Sequence, residues 1–251
     1  MAAGNGRNSG TASAKGLSSF VLKVVAIVGM TCNHAAYVFA GHLPFVGECV
    51  LFAVGGVTFP VMAYLLVEGY RHTSNVKRYA LRLAAFAAVS QIPYALYLAS
   101  NANVLFTLLI GLGLLYLDDH ASSRAWYGAG VVAGTLVSLV CDWGFLGIVM
   151  IVLFKYLQDQ DGRQGRASLG AVALPVLVAV VSLGVPALGE VALSGLYALP
   201  ALLYPLVGCS ASIPLLAAYN GRRGKPMKWF FYAYYPLHIA VLGIAAQLLF
   251  P

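Results

Sequence analysis

Mostly apolar stretches of helix-spanning length dominate the chain, separated by short polar breaks. Nine can be delimited: 17–39, 46–69, 77–98, 102–117, 124–141, 143–158, 168–187, 191–219 and 229–250. A helix that crosses a bilayer needs about 20 predominantly apolar residues. The expected fold is therefore all-α: a polytopic integral membrane helix bundle of about nine transmembrane helices. The fourth and sixth stretches are short, and the fifth and sixth read as a hairpin turning at Asp142-Trp143-Gly144. Pro200, Pro205 and Pro214 fall in the eighth, which is expected to kink or break. Gly55, Gly56 and Pro60 interrupt the second stretch, and Pro93 interrupts the third just after Ser90-Gln91. Each proline frees a backbone carbonyl, which membranes tolerate only where protein or water satisfies it. The second and third stretches are thus expected to line a wet or packed interior. Residues 1–16, rich in Gly, Ser, Ala and Asn, read as a disordered tail before one transmembrane domain over 17–251. The first stretch is too long for a cleaved signal peptide and is read as the first membrane helix.

Composition agrees with this pattern. Hydrophobic residues make up 61% of the chain, charged residues 9%, and the mean hydropathy is +0.83. Soluble domains carry roughly a quarter charged residues. The net charge of +7 does not point to nucleic acid, because the basic residues sit in short clusters between apolar runs. Those clusters fix an orientation instead. With a cytoplasmic N-terminus and alternating spans, the inside receives Arg7, Lys15 and Lys23, then Arg71, Lys77, Arg78 and Arg82. Arg124 follows, then Lys155, Arg163 and Arg166, and finally Arg222, Arg223, Lys225 and Lys228. All 15 Lys and Arg residues are then inside, and the outer breaks near 40–46, 99–101, 142 and 188–190 hold none. Cytoplasmic loops carry such an excess. The four cysteines form no C-x-x-C pair, and no metal-ligand spacing, P-loop, G-x-S-x-G or H-E-x-x-H is present.

Polar groups within spans are expensive, so each is a functional candidate. His34, after Asn33 near the outer end of the first stretch, reads either as an interfacial histidine or as a general base. Asn103, Thr107 and Gly111 recur on one face of the fourth stretch, and Gly130, Gly134, Ser138 and Asp142 on one face of the fifth. Small residues in such stripes usually mean close helix packing. Asp142, at the outer end, is suited either to orient a histidine or to cap the next helix. His238 lies about nine residues into the last stretch, behind Tyr234 and Tyr235, and has a structural reading as well as a catalytic one. At the inner end Glu68, Arg71 and His72 precede Lys77, Arg78 and Arg82. Most of that set fits a solvated loop, but Arg82 lies a turn inside its span. A guanidinium there suits a phosphate-rich cytosolic ligand, which Arg222 and Arg223 are placed to share. Physics alone names no reaction and stops at a cavity-bearing membrane protein with a basic cytosolic mouth and a His/Asn/Asp set nearer the outer face; a small-solute transporter or channel and a non-catalytic membrane scaffold stay open.

Further signals lie in ordered short motifs: Leu22 to Ile27 leading to His34; Phe59-Pro60; Leu66-Val67-Glu68-Gly69-Tyr70; His72-Thr73; and Tyr79 to Leu83. Ser90-Gln91-Ile92-Pro93-Tyr94, Asn103 to Leu109, Cys141-Asp142-Trp143-Gly144, Tyr219-Asn220-Gly221 and Phe231 to His238 follow. Together they resemble the TraX family of membrane acetyltransferases, named for the protein that acetylates the N-terminus of F-type conjugative pilin. The match is poorest over 160–215. One departure is Asn33, where the family usually has Asp. The resemblance implies a multi-pass protein of a bacterial-type cytoplasmic (inner) membrane that moves an acetyl group from acetyl-CoA to an acceptor amine or hydroxyl. Such an acceptor includes a small membrane-associated, pilin-like protein. It implies His34 as base, helped by Asn33 or Asp142, with His238 and Asn103 polarising the thioester carbonyl. Arg78, Arg82, Arg222 and Arg223, with Glu68 and His72, would form the acetyl-CoA mouth. No metal and no nucleic acid are expected. Contact with membrane lipid is, and Gly-rich faces permit a homodimer.

Overall fold

The computed structural model describes residues 16–161 and 167–250, with the Lys228 side chain left out. All but Gly16 of the tail at 1–16 lies outside the described residues, as do Arg163 and Arg166. Helices succeed one another as α1 (Ser19–Val38), α2 (Phe45–Gly55), α3 (Thr58–His72), α4 (Val76–Tyr97), α5 (Val104–His120) and α6 (Arg124–Ser138). After them come α7 (Gly144–Gln160), α8 (Leu169–Ser194), α9 (Leu199–Leu203), α10 (Ser210–Ala217) and α11 (Lys228–Leu249). A 3-10 turn, Gly195–Ala198, precedes α9, and a π-helical stretch, Tyr204–Cys209, follows it. The described residues form no β-sheet, only two isolated bridges.

Local chemistry sets most of these boundaries. Ser18, Asn75, Asn103, Ser123 and Ser168 each cap a helix by accepting a backbone N–H through the side chain. The expected second span is two helices, broken at Gly56-Val57. Pro60 lacks the N–H that would return to the Gly56 carbonyl. The eighth stretch is broken as expected, into a 3-10 turn, α9, the π-helical stretch and α10. One expectation is corrected: residues 188–190 are not a loop. Helix α8 runs on to Ser194 and ends at Gly195, whose φ of 72° favours glycine. Gly189-Glu190 carries the polar signature of a turn without its backbone.

The arrangement of polarity is inverted relative to a water-soluble protein. Leu81, Ile92, Leu96 and Leu248 are more than 65% exposed on outer faces. Asn103, Thr107, Ser90, Ser138 and Ser212 are completely buried. Lipid is the solvent that fits such a surface. Among the described residues, four helical runs are long and apolar enough to cross a membrane: Ser19–Val38, Phe45–His72, Leu169–Ala217 and Trp229–Leu249. Helices α5, α6 and α7, at 17, 15 and 17 residues, are shorter than the about 20 residues of a typical span. Helix α4 has the length, but opens with Lys77, Arg78 and Arg82.

Backbone staples close both ends of the bundle. At one, Leu17 N–H donates to the Ala218 carbonyl at 2.7 Å, Asn220 N–H to that of Leu17 at 2.9 Å, and Ser19 N–H to that of Arg222 at 2.8 Å. This ties the start of α1 to the α10–α11 connection. Lys23, Arg71, Arg78, Arg82, Lys155 and Arg223 gather at this basic end. At the other, Ala102 N–H donates to Val140 and Asp142 N–H to Ala102, joining the start of α5 to the α6–α7 turn. The glycine stripes serve packing: a Cβ at Gly130 or Gly134 would strike Leu117 or Leu114 of α5, and one at Gly111 would strike Ile151 of α7.

A close backbone crossing sets Gly56 on the π-helical stretch. A Cβ at Gly56 would lie 2.1 Å from the Tyr204 carbonyl oxygen and 2.9 Å from the Cys209 nitrogen, both rigid backbone. Gly56→Ala is expected to destabilise the fold by about 1–3 kcal/mol, read as a lowered midpoint in detergent thermal unfolding. Gly113→Ala, with nothing within 4 Å of its Cβ, should not lower it.

Candidate functional site

Helices α1 and α11 run parallel and present two matched turns to each other. One turn carries Thr31 and Tyr234; the next carries His34 and His238. The Thr31 hydroxyl donates to the Ile27 carbonyl at 2.7 Å, so the Tyr234 hydroxyl donates to Thr31, also at 2.7 Å. One turn on, His34 Nδ1 and His238 Nε2 are 2.7 Å apart, both residues only 6% exposed. Tautomers follow from the chain of acceptors. His238 Nδ1 lies 2.8 Å from the Tyr234 carbonyl, which can only accept, so Nδ1 carries the proton. Neutral His238 then accepts at Nε2, and His34 must donate from Nδ1. The lone pair of His34 is thereby placed on Nε2, which forms no hydrogen bond among the described residues. A carbonyl–His–His relay of this kind holds one imidazole in its basic tautomer, as an orienting group does in an acid–base pair.

A cavity of about 740 Å³ leads toward this relay from the basic end. Its mouth is walled by Ser19, Lys23, Arg78, Arg82 and Arg223; its far end by Met30, Leu105, Leu108 and Tyr235. The volume falls in the range of ligand pockets, about 300–1,000 Å³. Tyr235 links the cavity to the relay, its ring edge-on to His34 with centroids 6.0 Å apart. From Lys23 to His34 is eleven residues of one helix, or about 16 Å of axial rise.

Charge in the mouth is one-sided. Among the described residues, none of Lys23, Arg78, Arg82 and Arg223 makes an ion pair. Lys23 and Arg223 are near enough to repel. Arg82 stacks its guanidinium 5.7 Å from the Tyr79 ring, and its buried Nε has no hydrogen-bond partner. The wall's carboxylate, Glu68, is engaged with Arg71 at 3.7 Å and the exposed His72 at 3.6 Å. Such a cationic recess, with an unused buried donor, suits a polyanion.

Each site expectation can now be placed. His34 and His238 are brought together, but His238 has both nitrogens engaged, so it orients His34 and has none left to polarise a carbonyl. Asn103 is corrected to a structural role. It caps α5 through the Leu105 N–H, and its Nδ2 donates to the Ala87 carbonyl and Gln91 Oε1, both at 2.8 Å. Every polar atom of its buried side chain is used. Asn33 does not touch the His34 imidazole; it packs on Gly55, where a Cβ would come 2.7 Å from its own, and its Oδ1 is buried without a partner. Asp142 neither bonds a histidine nor caps α7, whose N-cap is Trp143 in a left-handed turn at φ 63°. In this turn, burial pushes the Asp142 carboxyl up, to about 6, against the Trp143 N–H that lowers it. Its charge reaches the phenols of Tyr37, Tyr94, Tyr204 and Tyr235. Glu68, His72, Arg78, Arg82 and Arg223 line the cavity, whereas Arg222 is exposed and not in its wall.

The TraX protein family matches residues 18–246. This chain belongs to the TraX family. Among its relatives, a probable fimbrial assembly protein of Dichelobacter nodosus, FimC of serogroup H1, is 29% identical over 92% of this chain and 97% of its own. Protein TraX of Escherichia coli K12 is 26% identical over 90% of this chain and 86% of its own. An α-(1→3)-arabinofuranosyltransferase of Mycobacterium tuberculosis is 32% identical over 57% of this chain, but only 31% of the transferase. No solved structure matches.

Two features of this TraX-family chain escape sequence reasoning. Lys23 reads as a topology charge, yet it faces the cavity. Lys155 reads likewise, yet its ammonium, 7% exposed, bonds Asp118, Asp119 and Asp159 at 2.7, 2.9 and 3.0 Å. Arg71 extends that network to Asp159 and Gln158, both at 2.6 Å, and Tyr70 to Asp119 at 2.6 Å. Its wall on a second cavity, of about 530 Å³, shares Glu68, His72 and Tyr219 with the first. Lys155 and Asp159, four apart in sequence, look like a solvated helix end; only the fold shows the network joining α3, α5 and α7. As a check on Asn103, Asn103→Ala is expected to lower unfolding stability by about 1–2 kcal/mol. Asn103→Asp, which keeps the capping oxygen but sets a second oxygen against the Ala87 carbonyl and Gln91 Oε1, should not recover the loss in the same melting experiment.

Proposed function

We propose that the chain is a membrane-embedded acyltransferase that moves an acetyl group from acetyl-CoA to an amine or hydroxyl. The observation carrying this reading is one cavity running from an unpaired cationic mouth to Tyr235, whose ring packs against a histidine pair that leaves His34 Nε2 free to accept a proton. Its topology is nine crossings of a bacterial-type cytoplasmic membrane, N-terminus in the cytosol, supported by the gathering of basic side chains at one end. Lys23, Arg78, Arg82 and Arg223 take the phosphates of cytosolic acetyl-CoA, and the pantetheine arm follows the apolar length of the cavity. His34 Nε2 accepts the proton of the attacking nucleophile, while Nδ1–H stays on His238. The imidazolium then returns a proton to the departing thiolate, so no covalent enzyme intermediate is needed. The acceptor arrives from the end opposite the basic mouth. The fimbrial-assembly name of one relative supports a small membrane-associated protein in that role.

Glycosyl transfer is a second reading, favoured by the partial arabinofuranosyltransferase match; a phosphate-bearing sugar donor would use the same basic mouth. Acetyl-CoA binding by calorimetry, with free-thiol release from detergent-purified protein, separates the two. Saturable binding should weaken roughly ten- to a hundredfold in Arg82→Ala, the worth of a charge-assisted hydrogen bond. His34→Ala should keep the binding and lose turnover by roughly 100- to 10,000-fold. A folded wild-type protein that ignores acetyl-CoA excludes the acetyl reading; normal turnover in His34→Ala excludes the base.

A further inference from the structure

We propose that Tyr235 is a further catalytic residue, whose hydroxyl donates a hydrogen bond to the thioester carbonyl and holds the oxyanion formed during transfer. This rests on the acyl-CoA reading of the cavity.

Tyr235 lines the donor cavity and packs its ring against both histidines of the relay. It lies three residues before His238 on α11 and is 3% exposed. With Met30, Leu105 and Leu108 it forms the far end of the cavity, where its phenol is the polar side chain in an otherwise aliphatic wall. Its ring is 6.0 Å from that of His34 and 5.7 Å from that of His238. Both packings fix the ring relative to the base.

The hydroxyl has no partner. Its oxygen is buried and makes no hydrogen bond, unlike that of Tyr234 one residue earlier, which bonds Thr31. An unpaired buried hydroxyl is costly and calls for an explanation. The backbone N–H of Val104, at the first position of α5, is the neighbouring donor, and no acceptor meets the O–H proton. A donor on that side favours the oxygen as acceptor and leaves the O–H proton free for another group. Bound thioester would supply the missing acceptor.

The step balances with groups already placed. The acceptor nitrogen or oxygen forms a bond to the carbonyl carbon and gives its proton to His34 Nε2. The π pair moves onto the carbonyl oxygen, where the Tyr235 O–H holds it. Collapse breaks the carbon–sulfur bond, and the leaving thiolate takes the proton from His34. Tyr235 keeps its own proton throughout. A donor aimed at a developing oxyanion in a dry site has its largest effect in the transition state.

The test is Tyr235→Phe, which removes one oxygen and keeps the ring packing on both histidines. Acetyl-CoA affinity should stay within about threefold, while turnover, read as thiol release, falls roughly 100- to 1,000-fold, the usual loss for one oxyanion donor. The carbonyl stretch of isotopically labelled acetyl-CoA should be lower in the wild-type complex than in solution, and should return toward the solution value in the variant. A purely structural tyrosine would not move that band. Should the Phe variant fail to fold, a fluorinated tyrosine at position 235 keeps ring and hydroxyl but donates more strongly, and the band must shift further down. Turnover near wild type, or a band indifferent to position 235, overturns the role of Tyr235 alone. Wild-type protein that does not bind acetyl-CoA overturns the reading of the cavity and this inference with it.

Discussion

Lipid surrounds the sides of this bundle, and lipid offers no hydrogen bonds. Every polar group at depth must therefore find its partner inside the protein. That constraint explains why fully buried positions hold Asn103, Thr107 and Ser138 while outer faces hold Leu81, Ile92 and Leu248. Lys155 survives at 7% exposure because three aspartates surround its ammonium. A charge in that setting is tolerable only when paired and hydrogen-bonded. The few groups left unsatisfied, among them Arg82 Nε and the Tyr235 hydroxyl, then stand out against an interior that is otherwise closed.

Pairing of α1 with α11 turns this constraint into a site. The paired residues of the two helices lie more than 200 residues apart in sequence. Thr31–Tyr234 sets their register, and His34–His238 follows one turn later. A shift of one residue on either helix would separate the imidazoles. At the basic end, the staple of Leu17 and Ser19 to residues 218–222 holds the same two elements together and brings Arg223 over Lys23. One helix pair thus anchors both the cationic mouth and the deep relay, and α4, with Arg78 and Arg82, completes the wall between them.

Some of the site was legible in the chain and some was not, for reasons visible at particular residues. His34 and His238 stand out because an imidazole within a span is expensive, but nothing in either motif says that they bond each other. Asn103 looked like chemistry because its cost at depth is the same whether it caps a helix or polarises a substrate. Asp142 was ambiguous between two partners and takes neither; its turn is built by backbone bonds to Ala102. Tyr235 gave no signal, since Tyr in a Phe/Tyr-rich helix is ordinary and only the absence of a partner marks it.

By itself the sequence determined that the chain is an all-helical membrane protein, where most of its helices lie, where they break at Gly56 and in 191–219, and which end is basic. These are local properties: hydropathy, helix-breaking prolines and the spacing of Lys and Arg are written in consecutive residues. Tertiary structure alone decided that α8 continues through 188–190, that Lys23 and Arg223 share a cavity while Arg222 does not, and which nitrogen of His34 is free. Each depends on which donor faces which acceptor across helices far apart in sequence, and a single chain with no partner in view does not carry that information.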